Sequence, residues 1–244
     1  MKKLLTTFIA IILFSVAGDT AQNFTYSTPQ NFKYNNNYAE TSDKEQILFI
    51  VDFSNSMNEY LGSKTKLEVA KETMRDILQM IPNRTSVGLR IYGHKTGFTP
   101  RQGCSASELV SPIMTNNSAN IYAKLSNTNA VGWTPITYSL KKAVFADFAN
   151  SDGKKRIILI SDGGENCDES PCDFIIELQK YRPDIVIDVI ALAIGDRDAN
   201  NQLKCVALVT SGKFYTANTA AQLKKSLQDS LNLQKEVQAE IINK

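Results

Sequence analysis

The sequence predicts a doubly wound α/β domain with a mostly parallel central sheet. Apolar runs of strand length alternate with amphipathic segments of helical length, which is the order of elements in such folds. Two of the runs, "QILFIVDF" and "KRIILISD", carry an aspartate near their carboxyl ends. Continuous apolar runs are typical of strands buried on both faces of a parallel sheet. With 244 residues, 43% of them hydrophobic, the chain is long enough for one domain with a substantial core.

Each predicted element has a local reason in the sequence. The segment 66–81 places an apolar residue every three or four positions, which predicts an amphipathic helix, and Pro82 follows its end. The helix predicted from Asn201 ends just before Gly212. The other predicted helices span 120–128, 134–149, 172–181 and 219–244, and the predicted strands span 46–53, 86–93, 107–113, 155–162, 184–195 and 213–218.

The beginning of the chain has the layout of a secretory signal peptide. Lys2 and Lys3 precede an apolar stretch that is short for a membrane span, and small and polar residues follow. An uncleaved anchor is the alternative interpretation. The predicted organisation is a signal peptide (1–17), a polar flexible linker (18–43), the α/β domain (44–232) and a C-terminal helical tail (233–244).

The charge balance excludes two classes of partner. Lys2 and Lys3 lie in the leader, which contains no Asp or Glu, so the remaining chain has 25 basic and 25 acidic side chains. A neutral domain lacks the basic surface needed for nucleic acid or anionic lipid.

The leader predicts an exported protein, periplasmic or secreted to the cell surface, with no membrane span in the mature chain.

Four cysteines form an even set: Cys104, Cys167, Cys172 and Cys205. In an exported protein this predicts two disulfides. A zinc site with four thiolates is the alternative, but no pair has the C-x₂-C spacing that such sites favour.

Oxygen-bearing side chains follow several strands at the predicted carboxyl edge of the sheet. Asp52, Ser54 and Ser56 follow the first strand, Thr134 opens a helix, and Asp162 ends the strand before "GGEN". Ligands of open α/β sheets bind outside this edge. Taken singly, each residue is as consistent with a helix cap or a turn as with a metal ligand. Together they are oxygen ligands suited to a hard cation.

This set resembles the metal-ion-dependent adhesion site (MIDAS) of von Willebrand factor type A domains. The family motif is D-x-S-x-S on the first loop, Thr on the second and Asp on the third. Asp52, Ser54, Ser56, Thr134 and Asp162 match it without departure. The resemblance covers about residues 45–230, and "YGHK", "GCSASELVSPI", "GWTPITYSL" and "SDGGENC" are similar to an exported bacterial branch.

The resemblance implies a bound divalent cation, Mg²⁺ or else Mn²⁺ or Ca²⁺. The hydroxyls of Ser54, Ser56 and Thr134 then bind directly, while the aspartates act partly through water. A Glu or Asp of a partner protein fills the open position, so the implied function is protein binding without catalysis. Two alternatives stay open: a metal-dependent hydrolase with Glu165 as a candidate base, and a structural domain with an empty site.

Three other features have ordinary interpretations. His94 is the only histidine, and the absence of a G-x-S-x-G elbow favours packing over catalysis. Trp133 either lines the rim of the site or packs half-buried. The segment 195–202 resembles the start of a calcium loop but has Asn201 where such loops need Gly, so it predicts a polar loop between strand and helix.

The fold order favours one pairing of the cysteines. Cys104 lies on the same rim as Cys167, and Cys172 and Cys205 lie on successive crossover helices that should be neighbours. We therefore predict Cys104–Cys167 and Cys172–Cys205, although the sequence leaves all three pairings open.

Overall fold

The computed structural model describes residues 45–233, which form an α/β domain. The leader, the linker and the C-terminal tail beyond Leu233 lie outside the described residues. The strands are β1 (Gln46–Asp52), β2 (Tyr60–Leu61), β3 (Lys64–Thr65), β4 (Ser86–Tyr92), β5 (Ser107–Met114), β6 (Lys155–Ser161), β7 (Ile185–Leu192) and β8 (Phe214–Ala217). The helices are α1 (Lys66–Met80), α2 (Pro100–Gly103), α3 (Ser118–Ser126), α4 (Ile136–Lys142), α5 (Pro171–Gln179), α6 (Arg197–Val209) and α7 (Ala220–Ser230).

Six strands form the central sheet, in the order β5-β4-β1-β6-β7-β8. All neighbouring pairs are parallel except β4 and β5, which are antiparallel. Strands β2 and β3 form a separate two-stranded hairpin before α1, which the sequence pattern does not predict. The predicted fold class, a mostly parallel sheet flanked by helices, is therefore confirmed.

Helices cover both faces of the sheet, and successive side chains of a strand point to opposite faces. Each strand therefore buries side chains on both sides. Phe49 and Val51 of β1 pack with α1, α3 and α7 on one face. Leu48 and Ile50 pack with α4, α5 and α6 on the other face. This two-sided burial is why β1 reads as a continuous apolar run.

Some helices differ from the prediction. The helix predicted over 134–149 is α-helical only over Ile136–Lys142, and the short helix α2 was not predicted. Helix α6 begins at Arg197, four residues before the predicted start, so most of the segment interpreted as a polar loop is helical. The reason is local: the Asp196 carboxylate accepts a hydrogen bond from the Ala199 backbone N–H at 2.7 Å and caps the helix. The acidic residues that resemble a calcium loop therefore belong to a helix start.

The paired carboxyl ends of β1 and β6 mark the functional edge. Val51 pairs with Ile160, so Asp52 ends β1 beside the end of β6, where Asp162 follows Ser161. The chain leaves these two strands toward opposite sides of the sheet, which makes this edge the topological switch point.

A buried ion pair connects the sheet to the segment after α4. The Arg90 guanidinium of β4 donates to both carboxylate oxygens of Asp147 at 2.7 Å. Asp147 ends a single π-helical turn over Ala143–Asp147. Both side chains are almost fully enclosed, so each charge is stabilised mainly by the other charge rather than by water.

We expect Asp147→Ala to lower the free energy of unfolding by about 3–5 kcal/mol, because it leaves the buried Arg90 charge unpaired. The control is Glu177→Ala, which removes an exposed ion pair with Lys180 and should cost less than about 1 kcal/mol. Urea unfolding followed by circular dichroism measures both. Equal effects of the two variants would contradict the importance of the buried pair.

Candidate metal centre

The Ser56 hydroxyl connects the first and third loops of the candidate site. It donates to Asp162 Oδ1 at 2.8 Å, and its oxygen lies 3.0 Å from the Ser54 hydroxyl oxygen. These groups come from positions 106 residues apart in the chain. Four of the five predicted ligands, Asp52, Ser54, Ser56 and Asp162, therefore lie at one edge of the sheet, as the motif predicts.

Asp52 is the most enclosed residue of the set, with no exposed surface. Its Oδ1 accepts from the Ser54 backbone N–H at 2.7 Å. Its Oδ2 accepts from the Ser161 hydroxyl at 2.7 Å and from the Tyr92 hydroxyl at 2.9 Å. Burial, and then the negative charge of Asp162, raise the pKa of Asp52 to about 6. Both oxygens thus have donors, but their charge is poorly compensated.

Asp162 has a different environment, because a lysine shares its carboxylate. Lys66, the first residue of α1, donates from Nζ to Asp162 Oδ2 at 2.9 Å and to Glu59 Oε2 at 2.7 Å. Burial disfavours the charged form of Lys66, but hydrogen bonds and charges of these two carboxylates outweigh burial and raise its pKa. Lys66 is therefore an ammonium at neutral pH.

The loop that carries Thr134 is held against the first loop by backbone contacts. Ser54 forms an isolated parallel bridge with Gly132, and the Asn55 N–H donates to the Gly132 carbonyl at 2.9 Å. On the other side, the Thr134 N–H donates to Asn166 Oδ1 at 2.7 Å. The fifth predicted ligand is therefore positioned by both neighbouring loops.

Glu165, the candidate base of the hydrolase alternative, connects the loop after β6 to the start of α4. Its Oε2 accepts from the Thr137 N–H at 2.7 Å, at the start of α4. Its Oε1 accepts from the Cys167 N–H at 3.0 Å. Burial raises its pKa above the ordinary value. Both oxygens are thus engaged with backbone donors.

The two disulfides follow the pairing favoured by the sequence. Cys104 is bonded to Cys167 and Cys172 to Cys205, so the thiolate zinc site is excluded in this structure. The first bond joins the segment after α2 to the loop after β6, next to Asn166. The second joins α5 to α6, which pack side by side.

His94 and Trp133 both pack near the site without entering the ligand set. Nε2 of His94 lies 3.2 Å from Glu108 Oε2. Trp133 is 40% exposed, and its ring lies where a side chain on Gly103 would point, since an added Cβ there would meet Trp133 Cδ1 at 2.7 Å. Trp133 therefore packs against Gly103 while part of its side chain is exposed.

The donor atoms of the set fit a small hard cation. Hydroxyl and carboxylate oxygens are the ligands that Mg²⁺ takes in proteins. In residues 45–233 no cluster of three or more His, Cys, Asp or Glu suited to a metal is present, so the set depends on its hydroxyls. It borders a cleft of about 470 Å³ whose lining includes Ser56, Glu59, Lys66 and Asp162. The uncompensated charge on Asp52 is what a divalent cation would neutralise.

Motif reasoning does not find four residues that organise the site: Tyr92, Ser161, Lys66 and Asn166. Two of them have a positional signal, because Tyr92 and Ser161 end strands that neighbour β1 and so must reach the same edge. Lys66 and Asn166 have no such signal in the sequence, since their roles depend on how α1 and the loop after β6 are placed.

Comparison with known proteins agrees with this geometry. Residues 47–165 match the family model of the von Willebrand factor type A domain, and solved structures share the fold. The described residues of this chain therefore have the fold of a von Willebrand factor type A domain.

Among individual relatives, the chain is 27% identical over 194 residues to the uncharacterized protein YwmD of Bacillus subtilis (strain 168), covering 77% of this chain and 85% of YwmD. Proximal thread matrix protein 1 from the mussel byssus, solved with a zinc-occupied MIDAS motif, is 21% identical with a TM-score of 0.58, over 78% of this chain and 46% of that chain. The pilus adhesin SpaC of Lactobacillus rhamnosus GG is 13% identical with a TM-score of 0.63, over 81% of this chain and 31% of SpaC. These two structures show the fold.

Gly93, which follows β4, allows a close approach between two loops. It has φ of +73°, and an added Cβ would lie 2.5 Å from the Ser54 nitrogen and 2.7 Å from the Trp133 carbonyl oxygen. We expect Gly93→Ala to lower the free energy of unfolding by about 2–5 kcal/mol, from the left-handed backbone and the overlap together. Urea unfolding gives the value.

Gly62 provides the matched control. It has the same φ of +73°, but an added Cβ there meets nothing within 4 Å. Gly62→Ala therefore measures the backbone cost alone, about 1–2 kcal/mol. If both variants lose the same stability, the close contact at Gly93 is unimportant.

Proposed function

We propose that this chain is an exported, non-enzymatic protein that binds a divalent cation, with Mg²⁺ preferred, at a MIDAS and through it binds an acidic side chain of a partner protein. The observation that carries the proposal is the Ser56 hydroxyl, which joins Ser54 to Asp162 across two loops. The ligand set is Asp52, Ser54, Ser56, Thr134 and Asp162.

The residues of the chain divide the work of holding the cation. Ser54, Ser56 and Thr134 offer neutral hydroxyl oxygens, and Asp52 and Asp162 offer the negative charge. A bound cation supplies positive charge and an open coordination position for an acidic ligand. Tyr92 and Ser161 orient Asp52 within the enclosed edge of the sheet, so the site is preorganised for the ion.

Two observations support a binding role over the hydrolase alternative. A hydrolase at the same ion needs a base free to accept a proton, whereas both oxygens of Glu165 accept from backbone N–H groups. Solved neighbours of the same fold include a pilus adhesin, and the mussel protein has zinc in its own MIDAS.

Export is supported by the cysteine chemistry. Two disulfides are typical of an oxidising compartment, in agreement with the predicted leader. Among residues 45–233 no helix is long and apolar enough to cross a membrane.

We expect Mg²⁺ or Mn²⁺ at about 100 times its Kd to stabilise the folded domain by about 2.7 kcal/mol through mass action. For a domain of this size the melting temperature should rise by about 5–10 °C. Asp162→Ala should abolish the rise, because it removes a charged ligand. Melting curves in Mg²⁺ and in EDTA measure both.

The control for this experiment is Asp198→Ala, which removes an exposed carboxylate that lines the same cleft outside the motif. It should retain the rise in melting temperature.

Immobilised protein should retain envelope proteins in Mg²⁺ and release them in EDTA, and the Asp162→Ala variant should retain none. A melting temperature indifferent to both Mg²⁺ and EDTA would refute the proposal.

The two disulfides should differ in their effect on cation binding. Replacing Cys104 and Cys167 by Ser removes the covalent bond that anchors the chain next to Asn166. Because Asn166 accepts the hydrogen bond from the Thr134 N–H, we expect the Mg²⁺ affinity to fall at least about fivefold, or about 1 kcal/mol. Replacing Cys172 and Cys205 by Ser, away from the ligand loops, should leave the affinity unchanged. Isothermal titration calorimetry of both variants, at a temperature where each is folded, makes the comparison. Equal affinities of the two variants would show that the Cys104–Cys167 disulfide does not position Thr134.

A further inference from the structure

Lys66 is a buried cation beside the candidate ligand set. Its Nζ lies 2.9 Å from Asp162 Oδ2 and 2.7 Å from Glu59 Oε2. Lys66 is 6% exposed, whereas the Glu59 side chain is 67% exposed. The MIDAS motif does not include Lys66, so its contact with Asp162 is an additional feature of this chain.

The backbone determines the position of Lys66. Thr65 caps α1, and a reciprocal pair of hydrogen bonds with Glu68 forms a capping box. The Lys66 N–H donates to the Glu59 carbonyl at 2.9 Å, and Thr65 pairs with Tyr60 in the β2–β3 hairpin. The side chain thus starts from a rigid point at the end of the cleft, with little freedom to leave Asp162.

We propose that Lys66 limits the affinity of the site for divalent cations, an inference that rests on the proposed function. The ammonium occupies one oxygen of a carboxylate that the cation also needs. The two like charges repel each other at an enclosed position, where charge interactions are stronger than in water. Lys66 therefore offsets one of the two negative charges of the motif, and the charge of its other partner, Glu59, is screened because that side chain is 67% exposed.

The repulsion outweighs the positioning effect of Lys66, because Asp162 has a second hydrogen-bond partner. The Ser56 hydroxyl donates to Oδ1 at 2.8 Å and keeps the carboxylate oriented when Lys66 is absent. Lys66 would then mainly withhold Oδ2 from the ion. A site with such a reduced charge holds a cation firmly only when an acidic partner side chain adds its own charge, so cation binding and partner binding become coupled.

The test is the Kd of Mn²⁺, measured by isothermal titration calorimetry on the chain without its leader. Lys66→Met keeps much of the apolar stem and removes the charge, and it should bind Mn²⁺ at least about tenfold more tightly. Lys66→Gln keeps hydrogen-bond donors for Asp162 and should also bind more tightly, which protects the test if Lys66→Met fails to fold. Lys66→Arg keeps the charge and should stay within about threefold of the unmodified protein.

Lys64→Met is the matched control, since Lys64 lies two residues away and pairs with the exposed Glu72. It should leave the Kd unchanged. Unchanged or weaker binding by both neutral Lys66 variants would overturn the inference and leave the proposed function intact, provided that the unmodified protein binds Mn²⁺. Binding by the neutral variants alone would support the inference, and binding by no variant would refute both proposals.

Discussion

Two carboxylates side by side at the end of a parallel sheet are the constraint that organises this domain. Pairing of β1 with β6 requires Asp52 and Asp162 to share one enclosed edge, and like charges in such a place destabilise each other. Hydroxyl groups of Tyr92, Ser161 and Ser56 donate hydrogen bonds to these carboxylates, and the ammonium of Lys66 pairs with Asp162. What these groups leave uncompensated is the charge that the proposed divalent cation would neutralise.

The surrounding loops are built to keep this arrangement rigid. Gly93 lets the loop after β4 touch the Ser54 backbone, and Asn166 connects the Thr134 loop to the loop after β6. The Cys104–Cys167 bond then connects that loop to the segment after α2. Binding sites need support from residues beyond the direct ligands, and at the proposed site this support comes from the loops after β4 and β6 and from the segment after α2.

The comparison of sequence with structure shows where local patterns are sufficient. The order and type of the main strands and helices follow from hydrophobic periodicity, because each element buries the face that its sequence makes apolar. The start of α6 was misplaced, because the polar residues 197–200 suggest a loop while the Asp196 cap determines a helix. The β2–β3 hairpin is too short to produce a pattern, yet it sets the position of Lys66.

The amino-acid sequence alone establishes the fold class, the five-residue motif and the edge of the sheet at which it lies, since these depend on strand periodicity and on residue types at fixed spacing. The distinction between the two aspartates required the assembled molecule. Asp52 is surrounded by hydroxyl and backbone donors, Asp162 shares its charge with Lys66, and Glu165 holds backbone groups. These properties depend on distances between residues far apart in the chain, which arise only when β1, β6 and α1 pack together.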